Sequence, residues 1–150
     1  MNRRNPAVAV AALVVCASVL TTAQAAKNYR GRMAPVPMTT AQASTIAGVG
    51  SVQAALKGNS VTISGTFEGL RSPATIAQVH RAPRGLRGPV ILELKVATTG
   101  DGTTGTLAGT FDATPAQLAD LDKGWWYVQL HSERAAEGNL WGWLMLQEKK

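Results

Sequence analysis

Cysteine and histidine are nearly absent from this 150-residue chain, which holds one Cys, at position 16, and two His, at 80 and 131. A single thiol permits no intrachain disulfide, and two imidazoles cannot alone build a multi-histidine redox metal centre. Acidic side chains number only 9, leaving few carboxylates for acid–base chemistry. Phe and Tyr occur twice each, although Trp occurs four times. Beyond the N-terminal stretch, no uncharged apolar run approaches the ~20 residues a membrane-spanning helix needs. Runs of helix formers are scarce, whereas Gly is plentiful.

That N-terminal stretch reads as a secretory signal over residues 1–25. Arg3 and Arg4 form a positive start, Pro6 to Thr22 is apolar and uncharged, and Ala23-Gln24-Ala25 is a small-x-small cleavage site. Val15 before Cys16 does not fit a lipoprotein signal, and the twin arginines lack the flanks of a Tat signal. Cleavage would remove Cys16 and with it all thiolate chemistry. Export to the periplasm or the medium is expected, with no transmembrane anchor after cleavage. The remainder, residues 26–150, suits one domain with one core. Without Arg3 and Arg4 it carries 13 Lys+Arg against 9 Asp+Glu. That balance is too mild for a dedicated nucleic-acid binder, so no nucleic-acid partner is expected.

The mature chain alternates in the manner of short strands. Lys27–Arg32 is extended and basic, and residues 34–50 read as a long connection. Val52, Ala54 and Leu56 share one side of a strand. After the Lys57-Gly58-Asn59-Ser60 turn, Val61, Ile63 and Phe67 alternate with polar residues, predicting a hairpin with one wet face. Strands follow at 75–80, 90–96, 103–111, 125–131 and 140–146, with a basic loop at 81–88 and a final loop at 132–138. Thr114 as N-cap, Pro115, Gln117 three residues on and Gly124 as a stop predict a short helix near 115–122. Seven or eight strands with one helix point to an all-β, antiparallel sandwich or barrel.

Strand phase places Ala77, Val79, Trp126, Val128 and Leu130 in the core. Gln78, His80, Tyr127, Gln129 and His131 then share the opposite, outer face if the two strands are neighbours. In the last strand Leu140, Leu144 and Leu146 fit the core. Trp141, Trp143 and Met145 fill the other side too, so that face is either covered or an exposed contact patch.

Several of these segments resemble the CHRD domain, a family named from chordin that also occurs in exported bacterial proteins. Ile76-Ala77-Gln78-Val79-His80, the Gly85/Gly88 loop and Pro89-Val90-Ile91-Leu92-Glu93-Leu94 look like its first half. Tyr127-Val128-Gln129-Leu130-His131-Ser132 and Gly138-Asn139-Leu140-Trp141-Gly142-Trp143-Leu144 look like its close. The resemblance spans about 30–146 and implies a Greek-key β-sandwich similar in outline to Cu/Zn superoxide dismutase. Two departures stand out: Gln78 replaces the first His of the family's His-x-His, and Trp141 replaces an arginine. A dismutase copper site needs more imidazoles than two, so that activity is not expected.

Three readings of function stay open. The chain is expected to be a non-enzymatic binding or structural module of undefined role. One alternative is Cu or Zn binding through His80 and His131, beside Gln78 and Gln129 and with water completing the coordination. The other is anion or glycan binding through Arg81, Arg84 and Arg87 of the basic loop, with Arg134 nearby. Trp125, Trp141 and Trp143 are candidates for stacking on sugars or meeting a protein. No nucleophile–base or acid–base pair is recognisable: Ser132 and His131 are strand neighbours and point to opposite faces.

Overall fold

The computed structural model describes residues 26–148. The expected leader at 1–25, including Cys16, lies outside the described residues. β1 (Lys27–Pro35), β2 (Val49–Lys57), β3 (Ser60–Glu68), β4 (Ala74–Arg81), β5 (Val90–Thr99), β6 (Thr104–Asp112), β7 (Trp126–Ser132) and β8 (Ala135–Trp143) make up the sheet. A helix α1 (Pro115–Asp122) precedes β7, and a two-residue strand β9 (Met145–Leu146) follows β8. The order is β2-β3-β6-β5-β4-β7-β8-β1, and β1 pairs again with β2, closing an antiparallel ring. The jumps from β3 to β4 and from β6 to β7 make it a Greek key. Closure leaves no free edge in the ring.

Period-two alternation fills the barrel. Val52, Ala54, Val61, Ile63, Phe67, Ala77, Val79, Leu107, Trp126, Val128, Leu130 and Leu140 point inward and are essentially inaccessible. The β2–β3 hairpin has the expected wet face, where Ser51–Thr66 and Gln53–Ser64 side chains bond across strands. α1 starts as its sequence predicts. Thr114 accepts from the Gln117 backbone N–H at 3.3 Å, and the Gln117 carboxamide oxygen accepts from Thr114 N–H at 2.9 Å. Leu121 plugs the end of the core. Gly124 ends the helix at φ +71, where an L side chain would be strained.

Two expectations need correction, and of the two alternatives for the outer face the covered one holds. The last strand begins at Ala135, so the 132–138 segment is not a loop but a tight turn and the first half of β8. The same run breaks after Trp143, and Leu146 is 44 % exposed instead of buried, because β9 has shifted onto the flank of β1. The outer face of β4, β7 and β8 is not wet. Residues 36–48 fold across it, burying Val36 and Ile46 against Ala135, with Asn139 donating to Ala47 O at 2.8 Å. The 82–89 loop covers the remainder. Trp143 Nε1–H donates to Ala82 O at 3.1 Å, and Gly88 N–H donates to the Tyr127 hydroxyl at 3.1 Å. Trp143 and Tyr127 thus pack under a lid of chain with the half-buried Trp141 beside them, ring centroids 4.7–6.0 Å apart.

Candidate functional site

The layer between the barrel and those two connections contains the polar residues singled out from sequence. β4 and β7 are neighbours, with Gln78 opposite Gln129 and His80 opposite Tyr127. His131 occupies the next same-face position beyond Gln129, so the two histidines bracket the glutamine row. His80 and His131 are each only 8 % exposed, and Gln129 is 2 % exposed. Gln78 is half-buried.

Both imidazoles are held alike. His80 Nδ1 lies 2.9 Å from Gly88 O, and His131 Nδ1 lies 2.8 Å from Ala136 O. A carbonyl oxygen only accepts, so Nδ1 carries a proton in each ring, and in the neutral ring Nε2 presents a lone pair. Gln129 is oriented in the same way, its Nε2 donating to Glu137 O at 2.9 Å, which leaves Oε1 as an acceptor. These three acceptors, His80 Nε2, His131 Nε2 and Gln129 Oε1, are buried without a hydrogen-bond partner among the described residues. Buried acceptors are rarely left unpaired, because each costs a desolvation penalty of about 1–3 kcal/mol. Burial lowers the His80 pKa from its ordinary value of 6.5; the Gly88 bond opposes that, and the charges of His131 and Arg87 add to it. His80 is therefore neutral at pH 7, the state in which imidazole can ligate a metal.

Gly138 makes room for this arrangement. Its φ is +126, and a Cβ there would collide with the Gln129 carboxamide. Sequence reading placed the histidines and glutamines on one face. A hydrogen bond from each histidine to loop backbone was the plain reading of the pair, but the particular acceptors, Gly88, Ala136 and Glu137, were not identified, since a backbone carbonyl leaves no mark on residue identity.

The four arginines expected to act together are dispersed. Arg81 is ion-paired to the buried Asp120 and sits 5.8 Å from the Trp125 ring. Arg87 donates to Glu137 O at 3.0 Å and lies 6.0 Å over Trp141. Arg134 follows β7 at the end of the β4–β7 ladder far from Arg81, because Ser132 pairs with Ala74 and Trp126 with Arg81. Arg84 instead faces Arg30 and Arg32 of β1, which sequence reading had not connected with the loop. Trp125 is half-buried between Arg81 and Lys123.

Among the described residues no group of three or more His, Cys, Asp or Glu is placed to hold a metal, and no helix is long and apolar enough to cross a membrane. An eight-stranded Greek-key barrel with a covered polar layer outside β4 and β7 defines the class of protein. The CHRD domain family model matches residues 17–144, and the chain belongs to that family. No curated protein and no solved structure matches it.

Proposed function

We propose that this chain is a non-enzymatic binding module that acts outside the cytoplasm and holds one late first-row divalent ion, Cu(II) or Zn(II), between β4 and β7. The observation that carries the reading is that three of the buried polar atoms without a partner among the described residues, His80 Nε2, His131 Nε2 and Gln129 Oε1, lie on one face of β4 and β7. Each is aimed by a bond from its other end to a backbone carbonyl, the outer-sphere support that orients metal-bound histidines. Imidazole nitrogen suits copper and zinc, while the absence of a carboxylate or thiolate ligand argues against Ca²⁺, Mg²⁺ and tight structural zinc. The site would hold its ion through two neutral rings, the amide oxygen and water. An ion so held keeps its full charge near Arg87, which makes the site one of modest affinity. Only two protein nitrogens are on offer, too few for dismutase-type cycling.

Isothermal titration of the metal-free domain tests this, joined to electron paramagnetic resonance of the Cu(II) form. The expected result is one ion per chain at micromolar affinity, with splitting from two nitrogens. Binding should be lost in His80→Gln with His131→Gln and weakened in Gln129→Leu. No heat with either ion, or unchanged binding in the double variant, overturns the reading. Export is tested separately: the amino terminus of protein recovered from periplasm or medium should be Ala26.

A further inference from the structure

The opposite side of the aromatic cluster carries a second site built from surface residues. Arg30 and Arg32 lie two apart on β1 and therefore leave the barrel on the same side, between the buried Tyr29, Gly31 and Met33. Arg84 of the 82–89 loop faces them across a shallow groove floored by Trp141, Trp143 and Met145. Two glycines allow this juxtaposition. A Cβ on Gly142 would come within 2.6 Å of Arg32 O, and one on Gly31 would strike Trp143 O, so β1 and β8 approach more closely than side chains permit. That approach brings the arginine row alongside the indoles.

The charge there is uncompensated. No lining residue of the groove is acidic. Among the described residues the carboxylate ion pairs are Lys27–Asp122, Arg81–Asp120 and Lys123–Asp120, and none uses Arg30, Arg32 or Arg84. Three guanidinium groups without a carboxylate partner, from two separate segments, line one groove, an arrangement that an anion relieves. A guanidinium fork matches the two oxygens of a carboxylate or sulfate, and an indole supplies an apolar face for a sugar ring.

We infer that the Arg30–Arg32–Arg84 groove binds an acidic saccharide, with a carboxylate or sulfate on the arginines and a sugar ring against Trp141. The groove involves none of the three proposed metal ligands, so the metal-free protein is sufficient to test it. Binding of an alginate hexamer (carboxylate), a dextran sulfate oligomer (sulfate) and neutral dextran is measured by titration, with tryptophan emission recorded in parallel. Two variants of equal charge change are compared: Arg30→Ser/Arg32→Ser/Arg84→Ser, and Lys57→Ser/Arg71→Ser/Lys95→Ser on exposed positions away from the groove. At least one acidic oligomer should bind saturably and shift the emission, losing about tenfold in affinity in the groove variant and less than about twofold in the control. Whichever oligomer binds names the anionic group. Equal losses in both variants, binding of neither oligomer, or binding only to phosphatidylglycerol vesicles would each overturn the inference. Unchanged far-UV circular dichroism of the variants shows that they fold.

Discussion

His80 and Tyr127 stack face to face across the β4–β7 ladder, with ring centroids 4.9 Å apart and planes 14° from parallel. The stack seals one side of the imidazole from water, and the 82–89 loop seals another. Burial is the leading cause of the depressed His80 pKa.

A pH dependence of stability follows. The unfolded chain takes up a proton on His80 near 6.5, whereas the folded chain does so only at lower pH. The unfolded state thus binds more protons between those two values. Stability should be level above about pH 6.5 and fall as pH drops through the window beneath it, by at most ~1.4 kcal/mol per pH unit. Urea unfolding at pH 7.5, 6.5 and 5.5 checks this. The ring resonances of His80 should titrate below pH 6.5. A midpoint above that value would refute the account.

Arg87 adds to the same depression and stands near the proposed ion. Its replacement by Ser removes a positive charge without touching a ligand. The His80 midpoint should rise, and Zn(II) should bind about two- to fivefold more tightly at low ionic strength, the gain shrinking in 0.5 M salt. Titrations of wild type and Arg87→Ser at two salt concentrations measure it. Equal affinities at low salt would show that Arg87 does not face the ion.

The barrel was largely legible in the sequence because period-two alternation is written in residue type. Val52-x-Ala54-x-Leu56 and Trp126-x-Val128-x-Leu130 announce their inward faces, and Thr114-Pro115-x-Gln117 announces a helix start. The outer layer was not legible. Tyr127, Gln129 and His131 follow the same alternation as a solvated face would. What buries them is the tertiary path of residues 36–48 and 82–89, which has no local pattern. The β8 boundary was misplaced for a related reason. Ala135, Ala136 and Glu137 have weak strand propensity, and they are held extended by their pairing with β7. Arg30 and Arg32 could have been linked to Arg84 only through the closure of β1 onto β8.

Asp120 anchors Arg81, at the start of the loop that covers His80. It is 6 % exposed, and Arg81 hydrogen-bonds it, the main reason its carboxyl titrates below the ordinary 3.8. Asp120→Asn keeps the shape and removes the charge. About 1 kcal/mol of stability should be lost, since the Arg81 partner is half exposed and screened. The loss should vanish in acid: the pair contributes above the unfolded carboxyl pKa and disappears as pH falls through the folded one. Denaturant midpoints of the two proteins followed from pH 7 into acid check this, and a difference that does not begin to shrink below pH 3.8 contradicts it.

Gly142 tests the close approach of β1 and β8. Its added Cβ meets the Arg32 carbonyl at 2.6 Å and the Met33 side chain at 3.1 Å, and backbone cannot yield as a flexible side chain does. Gly142→Ala should cost about 1–3 kcal/mol. It should also weaken acidic-saccharide binding while leaving Zn(II) binding unchanged, because the strain falls on the groove and not on β4–β7. Loss of metal binding in a folded Gly142→Ala protein would show that the two sites are not independent.

Gln78 offers a gain-of-function test of the metal reading. It faces Gln129 across the ladder, on the side that carries both imidazoles, and it is half-buried. Gln78→His adds a third nitrogen beside the two whose Nε2 atoms lack partners. Zn(II) and Cu(II) should then bind at least about tenfold more tightly, and the Cu(II) spectrum should show a third nitrogen. The same substitution in a His80→Gln background should return affinity to near the wild-type level, because the count of imidazoles is again two. If Gln78→His folds but gains no affinity, the free Nε2 atoms do not converge on one ion, and water is what satisfies them.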